Sequence, residues 1–117
     1  MTSLLHEPRP LNLDSLRPLY RDDPEELMCL VREAVIESCA LLERFENAAR
    51  YRSPQAAALG HELKGLCSTV GANELALLSV DLEDLANKGR WDELIPRVVT
   101  MKEAHQRLSA ASLNGLG

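Results

Sequence analysis

The chain has 117 residues, enough for one domain around one core. Hydrophobic residues make up 45% and aromatic residues only 3%, so the core must be assembled from Leu, Val, Ile and Ala, which suits close-packed helices better than sheets. A net charge of −5 with no basic cluster argues against nucleic acid as a partner, because phosphate backbones are bound by concentrated positive charge.

No apolar run is long enough to span a bilayer. The stretch from Met1 to Pro8 has neither the basic start nor the apolar segment of a signal peptide. The expected compartment is the cytoplasm, with no membrane partner. Cys29, Cys39 and Cys67 are odd in number and match no metal-binding spacing. Cys29 and Cys39 lie ten residues apart on one predicted helix, about 15 Å, which is too far for a disulfide. All three are read as reduced thiols at small core or boundary positions.

Residues 1–11 carry Pro8 and Pro10 and little periodicity, and are expected to form a flexible tail. Leu13, Leu16 and Leu19 share one side of a short predicted helix over Leu13–Leu19, with Pro18 disturbing its last turn. Asp23-Pro24-Glu25-Glu26 then supplies an N-cap, a proline at the first helical position and an acidic first turn. Leu27, Val31, Ala34, Leu41, Phe45 and Ala48 follow at spacings of three, four or seven, which predicts a long amphipathic helix to about Arg50.

Ser53-Pro54 repeats the start signal and opens a helix that should run to about Val70, where Gly71 interrupts it. Leu75, Leu78, Leu82 and Leu85 form the seam of the next helix, ended by Lys88-Gly89. The last helix begins near Trp91 with Asp92 and Glu93 in its first turn, and Leu94, Val98, Met101, His105 and Leu108 make its inner stripe. Residues 112–117 are expected to fray. No segment reads as a strand or hairpin. The fold class is therefore all-α: an antiparallel up-down-up-down four-helix bundle over residues 12–111, with a short N-terminal capping helix, self-contained as a monomer.

The helix after Pro54 carries the chemical information. At about 100° per residue, Ala56, Leu59, Leu63, Leu66, Cys67 and Val70 fall within an arc of roughly 100° that must face the core. His61 lies about 170° from the centre of that arc and points to solvent. Around it stand Ala57, Ala58, Lys64, Gly65 and Ser68, small residues apart from the lysine. A solvated helix face normally carries Glu, Lys, Arg and Gln, and glycine inside a helix costs about 1 kcal/mol relative to alanine. Two readings are open. Either His61 is a solvated histidine and Gly65 serves helix packing, or the face is cleared for a macromolecule that brings a reactive group to the imidazole. His6 falls in the tail, and His105 on a seam reads as a boundary residue.

The segment Gly60-His61-Glu62-Leu63-Lys64-Gly65, followed by Gly71-Ala72 and Leu75, closely resembles the histidine-phosphotransfer (HPt) family. The family pattern is a histidine, a basic residue three later, glycine four later, and Gly-Ala ten and eleven later. Gly60 is a departure, since the family more often has alanine there, and it is expected to add flexibility beside the site. The resemblance implies a two-component phosphorelay, in which His61 attacks an aspartyl phosphate on a response-regulator receiver domain and passes the phosphoryl group to a second receiver aspartate. It also implies that Mg²⁺ belongs to the receiver. The chain then needs no cofactor or metal of its own, and its partners are receiver domains, a hybrid sensor histidine kinase, or both. It has no autonomous kinase activity on this reading.

The residues fit that chemistry. A neutral imidazole is a competent nucleophile near cellular pH. Lys64, one turn from His61 on the same side, can offset charge on phosphoryl oxygens. Ala57, Ala58, Gly65 and Ser68 would form the docking surface, and Gly71-Ala72 would permit a tight turn. Glu62, about 100° around the helix from His61, reads as a solvated carboxylate.

His-Glu-Leu-Lys also resembles the phosphorylation box of sensor-kinase dimerisation domains. That box would continue with Thr-Pro where Gly65-Leu66 stands, and an ATP-binding domain would be expected to follow. A non-catalytic docking bundle is the other alternative, and it gives no reason for pairing His61 with Lys64.

Overall fold

The structure is a computed structural model that describes residues 11–113. Helix α1 (Pro24–Arg50) starts where the Asp-Pro signal places it. The Asp23 carboxylate accepts a hydrogen bond from the Glu26 amide at 3.0 Å, satisfying one of the free N–H groups of the first turn. Helices α2 (Gln55–Thr69), α3 (Asn73–Asn87) and α4 (Trp91–Leu113) follow, with no strand among the described residues.

All three helix-to-helix turns use one device. The residue after each C-cap has positive φ: Arg52 at 52°, Gly71 at 71° and Gly89 at 67°. In each turn two amides fold back onto the carbonyls of the ending helix. Ser53 donates to Ala48 at 2.8 Å, Ala72 to Cys67 at 2.8 Å and Arg90 to Leu85 at 2.9 Å. This satisfies carbonyls that the helix itself leaves free. Gly71 and Gly89 suit the left-handed conformation, whereas Arg52 adopts it at a cost of roughly 1–2 kcal/mol.

Each helix packs on the next, and α4 closes against α1, so the chain forms a helical bundle. Glu74–Arg107 and Asp81–Arg97, both at 2.8 Å, tie α3 to α4, and Glu46–Lys102 at 2.7 Å ties α4 to α1. Val31, Phe45, Leu63, Leu94 and Met101 are fully enclosed. The inner stripe of α4 is buried along its length, from Leu94 to Leu108. In α1 the buried set also includes Ser38, Leu42 and Ala49, with Ala48 half-buried beside them. Leu66 and Leu78, expected in the core, are half-buried.

Several expectations are corrected. Residues 14–22 form successive turns, and the helix expected over Leu13–Leu19 does not form. Arg17 bonds back to Leu13 and Tyr20 to Leu16, but Pro18 has no N–H to offer Asp14, so the ladder cannot propagate. The segment is anchored nonetheless: Leu11 and Leu13 are buried, and the Asn12 amide donates to the Gly71 carbonyl at 2.8 Å. Leu11 is thus core and no part of a tail, while Met1–Pro10, including His6, lie outside the described residues. Helix α4 extends to Leu113, and Ser112 is buried with its hydroxyl on the Ser109 carbonyl, so fraying does not begin at 112. Residues 114–117 also lie outside the described set. Cys29 and Cys39 are exposed, and Cys67 alone is a core thiol, pushed up to about 11 by burial.

His105 is buried and no boundary residue. Its Nε2 lies 2.8 Å from Ser38 Oγ, which in turn reaches the Val35 carbonyl at 2.9 Å. A seven-residue gap in the α1 stripe thus conceals the polar pair that joins α1 to α4. Burial holds the His105 imidazole below its usual range, partly offset by the Val35 carbonyl. The unfolded chain therefore takes up a proton that the folded one resists. The stabilisation is complete above the ordinary value of 6.5 and is lost as pH falls from there through the folded value. Urea unfolding from neutral to mildly acidic pH should show stability declining below that point in the native chain. The decline should be smaller in His105→Leu.

Candidate functional site

Helix α2 buries Ala56, Leu59, Leu63 and Cys67 and turns its opposite side outward. The His61 side chain is 69% exposed on that outer side. Ala58, Lys64, Gly65 and Ser68 are exposed around it, and Ala57 is half-buried. Glu62 is exposed as well. Lys64 has no ion-pair partner among the described residues, in contrast to Lys88, Lys102, Arg97 and Arg107, which are all paired.

The two glycines flanking His61 have different roles. A Cβ added at Gly65 would meet nothing within 4 Å. Gly65 therefore does not serve helix packing. A Cβ at Gly60 would lie 3.3 Å from the N, Cα and Cβ of Glu83. Gly60 is buried in the α2–α3 seam, so close packing explains it better than flexibility. Gly71 is needed twice over. Its φ is +71°, and a Cβ there would sit 1.7 Å from the Asn12 carbonyl oxygen. Ala72 is fully buried in the same turn.

Sequence reasoning missed Glu83. Its carboxylate oxygens lie 3.3 and 3.4 Å from His61 Nδ1. The carboxylate accepts, so the geometry favours the tautomer with hydrogen on Nδ1 and a lone pair on Nε2. Nε2 has no protein partner among the described residues. The wheel of α3 places Glu83 off the Leu82 seam, but only the packing shows that α2 lies on that side. Leu77 and Val80, 72% and 43% exposed, add large apolar side chains to the outer part of α3. Val80 lies one turn before Glu83.

His61 stands on an open surface. A hollow of about 460 Å³ lies elsewhere, lined by Asp14, Arg17, Tyr20 and Leu27 among others. No group of three or more metal-ligating side chains occurs among the described residues. No helix among them is long and apolar enough to cross a membrane.

Among the described residues, the helical bundle presents one exposed histidine, set against a carboxylate, with an unpaired lysine beside it on a face of small residues. The sequence matches the family model of the Hpt domain over residues 29–111, and the chain belongs to that family. Its role is phosphotransfer in a two-component phosphorelay. No curated protein and no solved structure gave a significant match.

Because Gly65 faces open space, its only structural effect is the conformational cost of glycine in a helix. Gly65→Ala should raise unfolding free energy by up to about 1 kcal/mol. Denaturant titration checks this, and destabilisation would show that the position is packed after all.

Proposed function

We propose that His61 is the phosphoacceptor, taking a phosphoryl group from a receiver-domain aspartate through Nε2 and delivering it to another receiver aspartate. The observation that carries the reading is the exposed imidazole beside a glycine whose missing side chain leaves open space. A receiver can approach in line with Nε2 without meeting bulk, and phosphoryl transfer depends chiefly on such positioning and on charge stabilisation. Lys64 supplies positive charge on the approach side. Ala57, Ala58, Gly65 and Ser68 form the contact face. Gly71 and Ala72 hold the turn that sets α2 on α3.

On this reading the bundle needs no cofactor, and Mg²⁺ is held by the receiver. The partners are response-regulator receivers, a hybrid sensor kinase, or both, met by a monomer in the cytoplasm. The order of the cross-helix pairs supports an up-down-up-down course for residues 12–111. Positions 74 and 81 of α3 meet 107 and 97 of α4, and positions 38 and 46 of α1 meet 105 and 102. The anchored turns over 14–22 cover the end of the bundle near Gly71.

A panel of phosphorylated receiver domains, each incubated with the full chain, tests the reading. The native chain should acquire acid-labile, base-stable phosphate from at least one of them, and His61→Gln should acquire none. Lys64→Ala should slow labelling by roughly fivefold, as expected for one exposed charge. Gly65→Gln should remain folded yet transfer far more slowly. Equal labelling of His61→Gln would overturn the proposal. A receiver bound normally but never discharged would favour a docking bundle without transfer.

A further inference from the structure

The lysines of the chain are Lys64, Lys88 and Lys102. Two of them are held by carboxylates. Lys88 Nζ lies 3.0 Å from Asp84 Oδ2 within α3, and Lys102 Nζ lies 2.7 Å from Glu46 Oε1, tying α4 to α1. Lys64 is exposed and has no ion-pair partner among the described residues. Beside it stands Gly65, where an added Cβ would meet nothing within 4 Å, so no side chain at 65 screens the approach. The charges of Lys88 and Lys102 are engaged by the fold. The charge of Lys64 is left for whatever arrives.

Resting on the reading of His61 as phosphoacceptor, we propose that Lys64 is a site of acylation by small acyl phosphates, and that its modification slows phosphotransfer at His61 without altering the fold. An aspartyl phosphate is itself an acyl phosphate, so a small molecule of that class brings the same reactive group to the same surface. Such a group offers two electrophilic atoms. An imidazole nitrogen attacks the phosphorus, whereas an amine attacks the carbonyl carbon.

At Lys64 the lone pair of the neutral Nζ attacks the carbonyl carbon. The N–C bond forms, the C–O bond to phosphate breaks, and inorganic phosphate leaves with the electron pair. The proton displaced from the amine passes to solvent. The product is an amide without charge, so phosphoryl oxygens at His61 lose the cation that offsets them. Lys88 and Lys102 have to leave their carboxylates before either can attack, and acylation of Lys102 removes a tie between α4 and α1. Lys64 breaks no such contact. Its acylation therefore acts on the chemistry and spares the packing.

The test treats the full chain with acetyl phosphate, quenches it in acid and maps acetyl groups by mass spectrometry. Acid strips any phosphohistidine and leaves the amide, so the map reports acylation alone. Lys64 should be acetylated faster than Lys88 or Lys102 by roughly two- to fivefold, the factor a surface ion pair is worth. Chain acetylated at Lys64 should take phosphate from a phosphorylated receiver roughly fivefold more slowly, as for one exposed charge removed. Its thermal midpoint should not move. In Lys64→Arg the labelling rate should be the same before and after acetyl phosphate treatment.

Equal acetylation of the three lysines, or faster acetylation of Lys88 or Lys102, would overturn the proposal. So would an unchanged labelling rate in chain acetylated at Lys64, or a lowered thermal midpoint, which marks a merely structural effect. An untreated native chain that takes no phosphate from any receiver would sink the phosphoacceptor reading and the slowing with it. The lysine map needs no receiver, and so tells that failure from a failure of the acylation itself.

Discussion

The close approach of α2 to α3 is the constraint on which the rest of the structure depends. Two glycines make it possible. Gly60 removes the side chain that would hold the helices apart, and Gly71 turns the chain through a left-handed conformation while accepting the N-terminal segment at its carbonyl. With α3 brought in this far, Glu83 reaches the ring of His61. The core of α2 is built almost wholly from Leu, Ala and Cys, small enough to let neighbouring backbones close up. The low aromatic content noted at the outset is therefore part of the same design, with Phe45 as the one large ring at the centre.

From that packing follows an exposed imidazole held at Nδ1 by Glu83. Among the described residues its Nε2 has no partner, and Lys64 on the same helix has no ion-pair partner. Nothing on this surface encloses a small substrate, and no cluster suited to a metal is present among the described residues. As a member of the Hpt family the chain has a phosphotransfer role in a two-component phosphorelay, and the proposed reading makes this open surface the place where the partner meets it. Leu77 and Val80 are exposed on α3.

Much of this was legible in the sequence because the signals were local. Asp23-Pro24 located the start of α1, Lys88-Gly89 the end of α3, and the leucine spacing of α3 its buried side. His61, Lys64 and Gly65 lie within five residues on one helix, so a wheel sufficed to place them together. What escaped depended on tertiary contact. Glu83 is 22 residues from His61, and nothing in its own neighbourhood marks it. Ser38 falls in the seven-residue gap of its helix's apolar stripe, and only the packing shows His105 against it. Gly60 looked like a flexible substitute for alanine until α3 was seen at its Cα. Leucine spacing suggests a helix over Leu13–Leu19, but Pro18, which already disturbs its last turn, removes the bond such a helix needs, and turns form instead. Arg52 carries no sequence mark of its left-handed φ, which the surrounding turn imposes.

The proposal that His61 is the phosphoacceptor rests on an exposed imidazole whose Nδ1 lies against Glu83 and whose Nε2 has no partner among the described residues. Long-range ¹H–¹⁵N correlation on histidine-labelled full chain, recorded before and after transfer from a phosphorylated receiver domain, tests it most directly. The account predicts phosphorus coupling at Nε2 of His61 alone, a protonated Nδ1 in both states, and unchanged rings at His6 and His105. Phosphorus on Nδ1, or on either of the other two histidines, would contradict it.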